Sequence, residues 1–128
     1  MPSTLRQRRG SQAEQLATEY LRRLGWRVIA RNIELGGVEV DILAVDSGPP
    51  STVVVVEVRS LHAARFGAPE ERVDRAKVGR LYRALTGLRE ADGLLTDVAS
   101  SALRVDLVVV DRRLGHEQIR HIRALEPA

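Results

Sequence analysis

The chain has 128 residues and a net charge of +3, and 44% of its residues are hydrophobic, enough for the core of one ordinary domain over residues 1–128. It contains no cysteine, which excludes disulfides, thiolate metal sites and cysteine nucleophiles. No stretch approaches the roughly 18 apolar residues of a membrane span, and the N-terminus lacks a signal-peptide core, so we expect a cytoplasmic protein with no membrane partner. The basic balance permits an anionic partner such as nucleic acid without requiring one.

The first predicted helix runs from about Ser11 to Leu24, after a basic segment, residues 1–9, that we expect to form a mobile arm. Ser11 is a candidate N-cap with Glu14 three residues later, which is the capping-box spacing. Apolar side chains then recur at helical spacing at Ala13, Leu16, Ala17, Tyr20, Leu21 and Leu24. Glu14 lies at the edge of this stripe, so it either caps the helix or reaches over a sheet toward a site.

Three predicted strands follow the first helix. The first is "WRVIARNIE", from Trp26, and the second is "VEVDILAV", residues 38–45. The third lies in "STVVVVEVRS", residues 51–60, whose four valines indicate a buried strand. Because the turns at 36–37 and 46–50 are short, the second and third strands should be antiparallel neighbours.

A second predicted helix and two further strands complete the chain. The helix should start near Pro69, with acidic residues in its first turn, and reach about Arg89. "LRVDLVVVD", 103–111, reads as a fourth strand and "QIRHIRAL", 118–125, as a short fifth. The order α-β-β-β-α-β-β predicts an α/β fold with a central mixed sheet of four or five strands flanked by helices.

Charged residues interrupt two of these strands in a pattern that indicates a site. Glu39 and Asp41 should share one face of the second strand, and Glu57 and Arg59 should share one face of the third. The opposite faces carry Val38, Val40 and Ile42 on the second strand, and Val56 and Val58 on the third. Two carboxylates that converge in a low-dielectric site require a proton or a cation, and hard oxygen ligands suit Mg²⁺ or Mn²⁺.

Structural alternatives remain open for each of these residues. Glu57 and Arg59 could form a salt bridge at a strand end, Glu39 could pair with an arginine, and Asp41 could be an acid close to a turn. Lys77 falls inside the apolar arc of the second helix, where it either snorkels to solvent or delivers a cation to the carboxylates.

Other polar and aromatic residues are predicted to be structural. Arg104 and Asp106 should form an internal ion pair, and Trp26 should belong to the core. His62, His116 and His121 have no ligand spacing and are interpreted as surface residues.

The motif "VEVDILAVD" followed by "VVVVEVR" resembles the D…E-x-K signature of the restriction-endonuclease-like nucleases, the PD-(D/E)XK superfamily. Longer stretches widen the resemblance: "RGSQAEQLATEYLRRLGWRVIARN", "FGAPEERVDRAKVGRLYRAL" and "LRVDLVVVD" are similar to the YraN-type uncharacterised bacterial family. The similarity extends from about Gly10 to Asp111. It implies a restriction-endonuclease-like three-layer fold.

The resemblance also implies roles for individual residues. Asp41 and Glu57 align with the metal-binding acids, and Glu14 with the helix-one glutamate of the Holliday-junction-resolvase-like branch. Arg59 stands where the catalytic lysine is expected. The implied activity is Mg²⁺- or Mn²⁺-dependent endonucleolytic hydrolysis of DNA, with branched or recombination DNA as a candidate substrate. Monomer and homodimer both remain open.

Three departures from the family pattern support alternatives to an active nuclease. Val38 precedes Glu39 where the family reads G-E-x-D, Leu61 replaces a basic residue, and Arg59 replaces lysine. Arginine is effectively always protonated and is a poor proton acceptor, although Lys77 could supply a substitute cation. A catalytically weak or inactive nucleic-acid-binding module is therefore the second hypothesis, and a protein-interaction scaffold is the third.

Overall fold

The computed structural model describes residues 5–62, 73–91 and 102–127, with side chains described over 10–62, 73–88 and 102–127. Within these ranges the chain forms two helices and five strands in the predicted order. They are α1 (Leu5–Arg23), β1 (Arg27–Leu35), β2 (Val38–Asp46), β3 (Thr52–Leu61), α2 (Arg75–Ala91), β4 (Ala102–Asp111) and β5 (Gln118–Ile122). The predicted α/β class is confirmed.

The five strands form one mixed sheet in the order β1-β2-β3-β4-β5. The pairs β1–β2, β2–β3 and β4–β5 are antiparallel, whereas β3 and β4 run parallel. Two parallel neighbours cannot be joined by a tight turn, and the connection between β3 and β4 contains α2. The sheet is therefore a hairpin meander extended by one crossover, as the order of elements predicted.

Each helix covers one face of the sheet, which gives three layers. Successive strand residues point to opposite faces, so the valine run of β3 contributes to two cores. Val54 and Val56 pack on the α1 side with Ala17 and Leu21. On the α2 side the buried residues include Val53, Val55, Val78, Leu81, Leu85, Leu107 and Val109. This arrangement agrees with the three-layer fold implied by the family resemblance.

Helix α1 begins earlier than predicted, and helix α2 is described from Arg75. Helix α1 begins at Leu5, so the predicted start at Ser11 is wrong and residues 5–9, predicted as a mobile arm, are helical. Helix α2 begins at Arg75, and its cap is Asp74, whose Oδ1 accepts a hydrogen bond from the Lys77 backbone N–H at 3.1 Å. The predicted start of the second helix, near Pro69, lies outside the described residues.

A buried polar network ties β5 to β4 and α1. His121 is 5% exposed: its Nε2 lies 2.8 Å from Asp106 Oδ2, and its Nδ1 lies 2.9 Å from the Tyr20 hydroxyl. The fully buried Asp106 also accepts hydrogen bonds from Arg104 at 2.8 and 3.0 Å and from the Ala124 backbone at 3.0 Å. The predicted pair of Arg104 and Asp106 is confirmed, whereas the interpretation of His121 as a surface residue is wrong.

The remaining aromatic and histidine predictions hold with one qualification. Trp26 is buried, with the His121 ring against its edge and the guanidinium of Arg104 over its face, so its place in the core is confirmed. His116 is exposed and His62 is half-buried. Among the described residues, no helix combines the length and apolar character that a membrane crossing requires.

Candidate active site

The ladder between β2 and β3 ends one residue before the acidic positions. Pairing runs from Asp46↔Thr52 to Ile42↔Val56, and one further step would place Asp41 opposite Glu57. Instead, Asp41 Oδ2 accepts a hydrogen bond from the Val58 backbone N–H at 2.9 Å. A carboxylate has therefore taken a donor that the ladder would give to a backbone carbonyl, and the paired region stops there.

The alternation of side chains along β2 is interrupted at the same place. Val40 packs in the core on the α2 side, with Leu43, whereas Ile42 packs on the α1 side. The prediction that Val40 and Ile42 share a face is wrong, because strict alternation fails between them. Asp41 lies within this irregularity, at the position where the alternation of β2 side chains between the two faces of the sheet is interrupted. It can therefore act on groups from both helical layers.

Glu57 projects from β3 toward α2 and is mostly buried. Its side chain is 14% exposed, and Oε2 accepts a hydrogen bond from the Lys77 ammonium at 3.2 Å. Burial raises the pKa of the Glu57 carboxyl and Asp41 raises it further, while Lys77 and Arg59 act in the opposite direction. The other oxygen, Oε1, is buried without a hydrogen-bond partner in the described part of the chain. Such an atom calls for an additional ligand, either a water or an ion.

Glu14 approaches the same region from α1. Burial raises the pKa of its carboxyl, Asp41 raises it further, and Asn32 and Arg31 lower it. The Asn32 amide is oriented with Nδ2 toward Glu14, because the opposite orientation would place two acceptors together. In this orientation Nδ2 donates to both Glu14 oxygens, at 2.7 and 3.1 Å. Glu14 is thus half-buried and bonded to Asn32 of β1. Because α1 begins at Leu5, Glu14 lies inside the helix, and the alternative that it is the capping-box acid is wrong.

The structure brings the predicted acids into one region, but their side chains do not converge on a single point. Asp41 raises the pKa of both Glu14 and Glu57, so it lies near both of them. Within the described side chains, no three His, Cys, Asp or Glu residues converge closely enough to hold a metal ion by themselves. Glu39 is exposed and lies opposite Glu34 at the hairpin end, and no ion pair to an arginine is found for it among these residues.

Two basic residues border Glu57. Lys77 is half-buried with its ammonium on the Glu57 carboxylate, which is the contact expected if it delivers a cation to the cluster. Arg59 is exposed, and it lines with Glu57 and Lys77 a cavity of about 20 Å³ between α2 and the sheet. Glu57 and Arg59 therefore share a side of the sheet, as predicted. The structural alternative, a direct salt bridge between the two, is not found among the described residues, where Glu57 pairs with Lys77.

Arg31 and Asn32, which the sequence pattern did not indicate as site residues, join the cluster from β1. Asn32 has a φ of +51°, a left-handed conformation that Asn tolerates better than most residues. As a result Arg31 and Asn32, although adjacent in a strand, both contact α1: Arg31 bonds to Gln15, and Asn32 to Glu14. The available signal was an Arg-Asn dipeptide between the apolar residues Ala30 and Ile33 of this strand.

The residues of the cluster lie within the part of the chain that a protein-family model matches. The model of "Uncharacterised protein family UPF0102" matches residues 13–110. A "UPF0102 protein" of Persephonella marina is 34% identical over 109 residues, covering 84% of this chain and 88% of the relative. One of Mycolicibacterium gilvum is 37% identical over 117 residues, covering 91% and 89%. These names give a family and no activity.

Proposed function

The chain belongs to the uncharacterised protein family UPF0102, and we propose that it is a metal-dependent endonuclease that hydrolyses phosphodiester bonds in DNA. One observation carries the proposal: where β2 and β3 part, Asp41 lies beside a buried Glu57 whose Oε1 has no hydrogen-bond partner among the described residues. Two such carboxylates repel each other unless a proton or a cation lies between them. The resemblance to the PD-(D/E)XK pattern names the same two residues.

The donor set fits a hard divalent cation. Carboxylate oxygens suit Mg²⁺ or Mn²⁺, and Mg²⁺ is commonly bound by only one or two carboxylates, with waters completing its shell. Asp41 and Glu57 would hold the ion, and Glu14 would act at the periphery through its proximity to Asp41. When bound, the ion supplies Lewis acidity that polarises a phosphate and lowers the pKa of water.

The basic side chains have separate tasks in this proposal. Lys77 donates to Glu57 Oε2, which opposes protonation of that carboxyl and fixes its orientation. Arg59 is exposed beside Glu57, where its permanently charged guanidinium can bind a phosphate oxygen. Because Arg59 does not give up its proton at neutral pH, the proposal does not use it as a general base.

Cleavage assays test the proposal. Purified protein is incubated with plasmid, single-stranded and four-way-junction DNA, with Mg²⁺, with Mn²⁺ and with EDTA. We expect cation-dependent products that fall at least about 100-fold in Asp41→Asn, because that variant removes a charged ligand. The matched control is Glu126→Gln, which removes an exposed acid near the C-terminus. Equal cleavage by wild type and Asp41→Asn, or no cleavage of any substrate, contradicts the proposal.

A second function is favoured by a specific observation at the basic positions. Arg59 occupies the expected lysine position, and the ammonium of Lys77 is engaged by Glu57. Such a site could bind nucleic acid with weak or absent catalysis. The Arg59→Lys variant separates the two proposals: a gain of cleavage supports a weakened enzyme. Salt-sensitive DNA binding without product in wild type and in Arg59→Lys supports a binding module.

A further inference from the structure

Two buried side-chain atoms in the described part of the chain have no hydrogen-bond partner, and both belong to residues at the carboxylate cluster. One is the acceptor Oε1 of Glu57, on the α2 side of the sheet. The other is the donor Nε of Arg31, on the α1 side. A buried donor without an acceptor is costly, so its occurrence in an arginine beside a candidate site needs an explanation, and a functional role of that arginine is one.

Arg31 is held in place without being neutralised. Its Nη1 donates to Gln15 Oε1 at 2.9 Å, and Gln15 in turn donates to Glu19 at 3.1 Å. It forms no ion pair with a carboxylate of the described residues, although it is close enough to lower the pKa of Glu14. The guanidinium therefore keeps its full charge and one inward donor at the edge of the cluster.

Arg31 faces α1 by the ordinary alternation of β1, since its neighbour Ala30 packs on the α2 side. Strand neighbours normally point to opposite faces. Because Asn32 adopts a φ of +51°, Asn32 turns to bond Glu14 while Arg31 bonds Gln15, so consecutive residues address α1. Asn32 thereby orients the acid, and Arg31 presents a cation beside it.

Charge balance gives this cation a task. Glu14, Asp41 and Glu57 together repel a phosphodiester anion, and a single divalent ion offsets only part of their charge. On the α2 side Lys77 and Arg59 provide positive charge, with Lys77 already paired. Arg31 provides the corresponding positive charge on the α1 side.

We propose that Arg31 binds a phosphate of the nucleic-acid backbone at the α1 side of the cluster through its guanidinium. This inference rests on the proposed function, since it concerns the same site. The fork of an arginine matches the geometry of a phosphate, whereas a lysine ammonium does not. Arg31 is therefore a substrate-binding residue rather than a structural partner of Glu14.

Binding measurements without catalysis test Arg31. Fluorescence anisotropy gives the Kd of wild type, Arg31→Ala and Arg31→Lys for a labelled duplex DNA oligonucleotide in EDTA and in Ca²⁺, over a salt series. The matched control is Arg27→Ala, which removes an exposed arginine from the other end of β1. We expect Arg31→Ala to weaken binding at least about 10-fold and to reduce the salt slope by about 1. Arg31→Lys should weaken it several-fold, and Arg27→Ala should stay within about 3-fold of wild type.

The outcomes separate this inference from the proposed function. If wild type binds or cleaves DNA and both Arg31 variants behave like Arg27→Ala, the Arg31 proposal is overturned while the nuclease proposal stands. If wild type neither binds nor cleaves DNA, the proposed function is contradicted, and the Arg31 inference that rests on it is overturned as well. Thermal unfolding of every variant identifies a folding defect, and Arg31→Lys, which keeps the stem and charge, carries the test if Arg31→Ala does not fold.

Discussion

At the scale of single residues, Glu57 shows a conflict between the stability of the fold and the proposed activity. Burial and Asp41 raise the pKa of its carboxyl above the usual 4.5, even with Lys77 paired to it. The fold therefore disfavours the ionised form that a divalent cation requires. This conflict is typical of functional carboxylates, because structural ones are held in surroundings that favour their charge.

Glu57→Gln should stabilise the fold while abolishing cation-dependent cleavage. A carboxyl with a raised pKa loses its favourable contribution as pH rises through the folded-state value. The gain of the variant over wild type should therefore be largest above that value, about 1–2 kcal/mol at most, and should shrink as pH falls toward 4.5. Urea unfolding from pH 4.5 to 8 measures it, with Glu39→Gln, an exposed acid, as control. A variant less stable than wild type at every pH would show that the pair with Lys77 dominates.

Asp106 shows the opposite electrostatics. Burial alone would raise its pKa, but hydrogen bonds from His121, Arg104 and the Ala124 backbone outweigh burial and lower it. A carboxyl with a lowered pKa stabilises the fold above its usual 3.8 and loses that contribution as pH falls through the folded-state value. Asp106 is therefore structural, and its charge is part of the fold.

Asp106→Asn should lower the free energy of unfolding by about 2–4 kcal/mol at neutral pH, because Arg104 loses its closest charged partner and keeps only the longer contact with Asp46 at 3.5 Å. The deficit should shrink in acid, where wild type also loses the charge. Urea unfolding at pH 7 and pH 3 provides the measurement, with Glu117→Gln, which breaks a more exposed ion pair with Arg112, as control. Equal losses in the two variants would contradict a central role for Asp106.

At the scale of elements, helix α2 begins with an N-cap, Asp74, that was not predicted from the sequence. Asp74 bonds the Lys77 N–H in the first turn. Asp74→Ala should lower the free energy of unfolding by about 1 kcal/mol, and Asp74→Ser should retain most of it, because serine also caps helices. Urea midpoints of the two variants decide the point. If serine is as damaging as alanine, the contribution of Asp74 is its charge near Arg80 rather than the cap.

Most elements could be predicted because their signals are local. The valine run and the helical stripe from Ala13 to Leu21 indicate burial at a fixed period, the glycines mark turns, and the pairing of β2 with β3 followed from the short turn between them. Leu24, which was predicted to belong to the stripe, lies beyond the end of α1 at Arg23 and is 43% exposed. The early start of α1 was missed because its first turns lack an apolar stripe. The burial of His121 was missed because its partners, Asp106 and Tyr20, come from distant parts of the sequence.

Only part of the geometry of the candidate site could be predicted from the sequence. Glu57 followed from spacing on a regular strand. The contacts of Asp41, Arg31 and Asn32 depend on local breaks in strand geometry, at Val40–Ile42 and at the positive φ of Asn32. Periodicity assumes regular strands, so it cannot report where one is interrupted.

At the scale of the whole molecule, the C-terminal segment holds the layers together. The Leu125 N–H donates to the Val105 carbonyl at 2.7 Å, and Tyr82 in α2 donates to the Leu125 carbonyl at 3.2 Å. His121 links Asp106 to Tyr20 in α1. One short segment therefore bonds to β4 and to both helices.

Removing residues 118–128 should abolish cooperative unfolding. The truncation leaves Asp106 without two of its partners and exposes the edge of β4, a loss of about 3–5 kcal/mol or more against a typical total of about 5–15 kcal/mol. Removing residues 127–128 alone should change little. Circular dichroism during thermal unfolding of both truncations gives the answer, and a sharp transition in the longer truncation would contradict it.

The bond between Tyr20 and His121 spans 101 positions, which has a consequence for synthesis of the chain. On the ribosome, α1 and the first three strands emerge long before the residues that fasten them. Until β4 arrives, β3 carries an unpaired edge rich in valine, a surface prone to associate with other chains. All the acids of the cluster are made during this interval. The nascent protein therefore carries its proposed catalytic groups before it has the strands that complete its fold.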